Sequence, residues 1–204
     1  MSSSSRLKYS KVVGANEVFT DEFINYLVAA RDELGPKLLE LRCKRAGIVN
    51  NVLEGKMPDH LPESEINTDE WKVPPVPEEL KLPGIEISGP ASMTGMFINA
   101  LNPGPDGGRA EGYLDDDEDS AGHRLLDTVS AALNRKGAVE RTLSFEDKKR
   151  GRKYEIKDGP IPFFMHRERG IHLDEHDVTV DGTPMPAAIL GMASTLFHAG
   201  RAQI

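Results

Sequence analysis

The sequence predicts an α/β fold preceded by a separate helical cap, and three observations carry this. Residues 21 to 52 follow helical spacing. From Pro58 to Pro90 prolines recur at a density that neither a helix nor a central strand tolerates. The second half alternates short apolar runs of strand length with helical runs, the pattern of an α/β layer.

The elements follow in order. The polar start MSSSSRLKYS has no apolar stretch of signal-peptide type, and residues 1–15 read as a flexible leader. Thr20 is a suitable N-cap, and Asp21 and Glu22 suit the positive end of a helix dipole. Phe23, Leu27, Ala30 and Leu34 continue on one helical face. Gly35-Pro36 predicts a break, with Pro36 opening a second helix that carries Leu38, Leu41, Arg45, Ile48 and Val52. The Pro-rich stretch (Pro58, Pro62, Pro74, Pro75, Pro77, Pro83, Pro90) reads as an extended wrapping segment anchored by Trp71. Ile85–Ser88 is a short strand. Gly112-Tyr113-Leu114 runs into the acidic stretch Asp115–Asp119. A helix is expected over 124–133, then a hairpin from Val139–Phe145 to Lys153–Ile156 turning at Lys148–Gly151. Ile161–Met165 has buried-strand character. Val178–Gly182 is a strand and turn, and 187–198 a helix.

Composition narrows the function classes. The chain has 204 residues and is 38% hydrophobic and 28% charged, as globular proteins are. A net charge of -8 argues against nucleic acid and anionic membrane partners, both of which need clustered Lys and Arg. Cys43 is the single cysteine, so no intrachain disulfide and no multi-thiolate zinc site can form; a reducing compartment such as the cytoplasm fits.

Four motifs have chemical potential. In the acidic run, strand alternation places Asp116 and Glu118 on one face, where two carboxylates suit a hard divalent cation directly or through its waters. The alternative is a solvated acidic loop. Arg167, at the end of an apolar strand, is placed to bind a carboxylate or a developing enolate; its alternative is a surface ion pair. His172-Leu-Asp-Glu175-His176 matches the inverted zincin pattern, which would make His172, His176 and Glu175 a zinc hydrolase site if the segment were helical. The basic tip Lys148–Lys153 reads as a solvated face.

Eight of these segments lie in an order that resembles the malate synthases of the shorter, A-type class. Pro58–Ser64 resembles "PDFLPET", Trp71–Pro77 "W-x-V-A-P-x-P", and Ile85–Pro90 "VEITGP". Ile98–Asn102 matches "INALN", and Asp116–Ser120 resembles "DFEDS". Arg167–Leu173 resembles "RPRGWHL", Val178–Gly182 "VLVDG", and Leu196–His198 "FFH". The resemblance implies a helical clasp over 16–90 and, over 91–204, the first strands (about two) and helices of an incomplete TIM barrel. It implies condensation of acetyl-CoA with glyoxylate to give malate and CoA. Arg167 would polarise glyoxylate and stabilise the enolate, and Asp116 and Glu118 would hold water ligands of Mg²⁺. The direct Mg²⁺ ligands and the proton-abstracting Asp are expected beyond residue 204, so the chain reads as a fragment. A non-catalytic relative serving as a binding module is the other reading. Glu168, Ile171 and Asp117 depart from the family's Pro, Trp and Phe, and Glu168 is expected to weaken the grip of Arg167 on an anion.

Overall fold

The computed structural model describes residues 2–81 and 84–203 and is a mixed α/β arrangement in which no sheet closes. The chain opens with a short helix, α1 (Ser3–Arg6), and a strand, β1 (Leu7–Tyr9). β1 pairs antiparallel with β7 (Asp174–Val180), Leu7 opposite Val180 and Tyr9 opposite Val178, and β7 pairs with β8 (Thr183–Pro186). The leader expected to be flexible is therefore fastened to a sheet. Leu7 supplies the reason: it is buried, and it joins Val178, Val180 and Phe23 in one core.

After α2 (Ala15–Val18) comes α3, a single helix over Asp21–Leu53. Thr20 caps it, its hydroxyl accepting from the Phe23 N–H at 3.3 Å. The break expected at Gly35-Pro36 does not occur. Pro36 deletes one backbone donor, but Gly35 keeps a negative φ and burial resumes at Leu38. Arg42, one turn further on, donates to the carbonyl oxygens of Ile171 (2.6 Å) and Leu173 (3.0 Å) and pairs with Asp174 at 2.9 Å. Those contacts hold the helix on course. Beyond Leu38 the apolar side chains Leu39, Leu41, Ile48 and Leu53 are exposed.

The Pro-rich segment is extended apart from α4 (Glu65–Thr68) and a 3-10 turn (Glu78–Leu80), and the stretch from Met57 onward exposes Met57, Leu61, Ile66, Val73 and Val76. Trp71 does not anchor it. The ring is 66% exposed, and its indole N–H donates to the Ile66 carbonyl within the same segment. Pro83 lies outside the described residues.

A second sheet is parallel, in the order β2 (Glu86–Gly89), β3 (Gly112–Asp116), β6 (Phe163–Arg167). Helix α5 (Thr94–Leu101) links β2 to β3; α6 (Leu125–Val139) and the hairpin β4 (Ser144–Asp147)–β5 (Arg152–Glu155) link β3 to β6. Val139, expected in the hairpin, instead ends α6, whose face buries Ala131, Ala132 and Ala138; Arg141, at φ 60°, turns the chain away. Tyr113 and Phe164 pair across the sheet and pack on Phe97, forming the second core with Leu101 and Ala138. Helix α7 (Ala187–Ser194) and a π-helical turn (Thr195–Gly200) return against α3 and α6. Among the described residues no helix is long and apolar enough to cross a membrane.

The first core predicts a contrast along α3. Phe23 is fully buried, whereas Leu53 is exposed. Phe23→Ala is expected to cost about 3–5 kcal/mol in urea denaturation, and Leu53→Ala less than about 0.5 kcal/mol.

Candidate active site

The parallel strands β3 and β6 end side by side at Asp116 and Arg167. Ligand sites of α/β sheets sit at such carboxyl ends. Side chains alternate, so this edge has two chemical faces. Leu114, Met165, Asp116 and Arg167 point one way; Tyr113, Phe164, Asp115 and His166 point the other.

On the first face Arg167 grips Asp116 with two bonds, Nε to Oδ1 at 2.9 Å and Nη2 to Oδ2 at 2.7 Å, and also pairs with Asp119. The chain bends after β3 because Asp116 Oδ1 accepts from the Glu118 and Asp119 N–H groups, at 3.0 and 3.1 Å. Its Oδ2 accepts from the Ser120 hydroxyl at 3.0 Å. Burial would raise the Asp116 pKa, but the Arg167 guanidinium and these donors outweigh it and hold it at about 2. The Arg167 side chain remains 39% exposed. The result is a cation held in a fixed orientation at the strand ends, able to meet an anionic or carbonyl ligand. Glu118 lies past the bend, where its carboxylate sits against Gly170; an added Cβ there would come within 2.6 Å of Glu118 Oε1.

On the second face is a charged cluster almost wholly out of water. Arg135, from α6, is 2% exposed; its Nε lies 2.5 Å from Asp115 Oδ2, and its Nη2 lies 2.6 Å from Asp117 Oδ1. His166 Nδ1 meets the same Asp115 oxygen at 2.9 Å, and His166 Nε2 lies 3.2 Å from Glu168 Oε2. Arg169 pairs with the buried Glu175 at 3.0 Å. Burial alone would lower the His166 pKa, but the Asp115 and Glu168 carboxylates raise it to about 9. Burial raises the Asp115 carboxyl, but His166 and Arg135 overcome that and hold it low. Burial pushes Asp117 up against the opposing pull of Arg135.

Three sequence expectations change here. Glu168 does not confront Arg167. It projects from the opposite face, accepts from the Arg169 N–H at 2.9 Å and packs against Gly191 of α7, where no Cβ would fit. The zinc reading of His172, Glu175 and His176 fails because β7 is a strand: it turns Glu175 inward to Arg169 and leaves His176 exposed. Asp116 and Glu118 do not continue one strand face, since β3 ends at Asp116. Sequence reasoning passed over Asp115, Arg135, His166 and Arg169. One signal was readable: Arg135 lies four residues after Ala131 and three before Ala138, on the apolar face of its helix.

Removing Arg135 strands two carboxylates. Arg135→Met is expected to cost about 3–5 kcal/mol by denaturant titration. The raised His166 pKa adds a pH dependence. Its stabilisation is complete below the unfolded value of about 6.5 and is lost as pH rises through about 9. In metal-free buffer the stability gap between the wild type and His166→Gln should therefore be larger at about pH 6 than at about pH 10; an equal gap contradicts the assignment.

Comparison with family models finds no match. Comparison with curated proteins does find relatives. The chain is 30% identical to a malate synthase of Myxococcus xanthus over 189 residues, 92% of this chain and 34% of that protein. It is 31% identical to a malate synthase of Streptomyces clavuligerus over 190 residues, 91% of this chain and 34% of that protein. It is 34% identical to a glyoxysomal malate synthase of Cucumis sativus over 146 residues, 71% of this chain and 24% of that protein. The chain spans about a third of the length of the bacterial relatives it matches. It is thus a relative of the malate synthases, similar to them over nearly all of its own length and fitting their N-terminal portion.

Proposed function

We propose that this chain supplies the electrophile-handling part of a malate synthase active site, which condenses acetyl-CoA with glyoxylate to release malate and CoA. The observation that carries the reading is the bidentate Arg167–Asp116 pair at the carboxyl ends of two parallel strands. In this reading the clasp expected over 16–90 ends before β2, and β2, β3 and β6 are the first three strands of a TIM barrel, one more than expected. Their neighbour-to-neighbour parallel order supports that, as do Leu114, Phe163 and Met165, which are only half-buried on the face turned from the helices. The cytoplasm is proposed as the compartment, in keeping with the exposed free Cys43.

The chemistry asks for fixed positive charge. The methyl group of a thioester is weakly acidic, and its enolate forms readily only beside a preorganised cation. Arg167 provides one whose orientation is set by Asp116, so little reorganisation is needed when charge develops. Mg²⁺, when bound, supplies a Lewis acid for the glyoxylate aldehyde. The water-mediated Mg²⁺ contact expected of Asp116 has little acceptor capacity left to it, because both oxygens already serve Arg167 and the bend. Asp116 is better assigned as the positioning residue of Arg167. Glu118 fits contact with the ion through a bound water.

In protein that carries these residues within a chain of the relatives' length, CoA release from acetyl-CoA should require glyoxylate and Mg²⁺. Arg167→Ala should lower it by at least about a hundredfold. Asp116→Asn should lower kcat by about tenfold or more while circular dichroism stays unchanged. Wild-type turnover in Arg167→Ala removes the role given to that residue, and absence of turnover in the wild type removes the enzyme reading.

A further inference from the structure

The second face of the strand ends carries chemistry that the proposed condensation does not use. Asp117, His166 and Glu168 each offer one ligand atom, and these atoms lie within 4.8 Å of one another. Asp117 follows β3, His166 is in β6 and Glu168 follows β6, so the parallel register itself brings them together.

Three further observations point to a missing cation. The first is the Asp117 carboxylate. Its side chain is 7% exposed, yet among the described residues it accepts no hydrogen bond. Arg135 Nη2 faces Oδ1 at 2.6 Å as an ion pair without hydrogen-bond geometry. A carboxylate with one such partner keeps acceptor capacity that a second positive group can use. The second is the distance from His166 Nε2 to Glu168 Oε2, 3.2 Å. Two ligands of one metal, each at about 2.0–2.2 Å and about 90–110° apart, stand about 2.9–3.4 Å from each other. The third is the other side of the ring. His166 Nδ1 faces Asp115 Oδ2 at 2.9 Å, and Arg135 holds that oxygen in turn. A carboxylate behind a histidine fixes the tautomer that leaves Nε2 free to ligate.

Asp115 and Asp117 share the single guanidinium of Arg135, while Arg169 pairs with Glu175 at 3.0 Å and reaches Glu168 only at 3.9 Å. His166 also borders a cavity of about 280 Å³ lined by Leu101, Ile161, Phe164 and Leu196.

We propose that Asp117, His166 and Glu168 form a binding site for a divalent transition-metal ion, with Asp115 as the residue that orients the histidine. One imidazole and two carboxylates favour Zn²⁺ or Mn²⁺ over the all-oxygen preference of Mg²⁺ and Ca²⁺. The site faces away from Arg167 and is separate from the Mg²⁺ contact proposed for Glu118.

Calorimetric titration of the chelator-treated chain tests this with ZnCl₂, MnCl₂ and MgCl₂. The expected result is one equivalent of Zn²⁺ per chain, bound at least about a hundredfold more tightly than Mg²⁺. Asp117→Asn and Glu168→Gln should each weaken it by about tenfold or more, whereas His176→Ala, at an exposed position, should leave it unchanged. Should a variant fail to fold, Mn²⁺ added to the wild type provides the second readout: the His166 ring resonances should broaden before those of His176. Absence of stoichiometric Zn²⁺ binding, affinity indifferent to Asp117 and Glu168, or early broadening at His176 instead of His166 would each overturn the proposal.

Discussion

The organisation of the strand ends depends on the buried ion pair between Arg135 and Asp115. It joins the C-terminal half of α6 to the end of β3, and Asp115 passes the connection to His166 of β6. A guanidinium that is 2% exposed is tolerable only if its donors are met. Asp115 and the Thr195 hydroxyl accept hydrogen bonds from Nε and Nη1, and the Asp117 carboxylate faces Nη2 as an ion pair without hydrogen-bond geometry. The helix, two strands and the turn after α7 are thereby held in one arrangement. Replacing all of these charges together by apolar groups of similar shape is expected to cost little in stability; what the charges add is a defined placement of the strand ends.

Alternation then determines what the other face can do. Because Asp115 and His166 must point toward α6, Asp116 and Arg167 must point away from it. The Arg167 guanidinium, secured by Asp116 and Asp119, stands ready for an anion. One register thus yields a buried charged cluster on one side and an accessible cation on the other. A slip of one residue would exchange the two faces.

Much of this was legible from residue order. The Thr20 cap, the β4–β5 hairpin, the apolar strand before Arg167 and the turn at Asp181-Gly182 all follow from local chemistry that needs no distant partner. What escaped depends on long-range contact. Residues 7–9 look like a polar leader until Val178 and Val180 supply a strand to pair with. Gly35-Pro36 looks like a break until Arg42 and the 171–174 loop hold the helix beyond it. Glu168 follows Arg167 directly in sequence, which suggested interference, but adjacent side chains at a strand end point in opposite directions. The partners of the acidic run, Arg135 and His166, lie 20 and 51 residues from Asp115, and no local pattern announces them.

The central claim is that the Arg167 face, not the His166 face, receives the substrate. Titrating the 204-residue chain with glyoxylate while following the arginine side-chain Nε resonances tests it most directly. The account predicts a saturable shift of the Arg167 signal with the Arg135 signal unmoved. A response at Arg135 alone, or none at either, would contradict it.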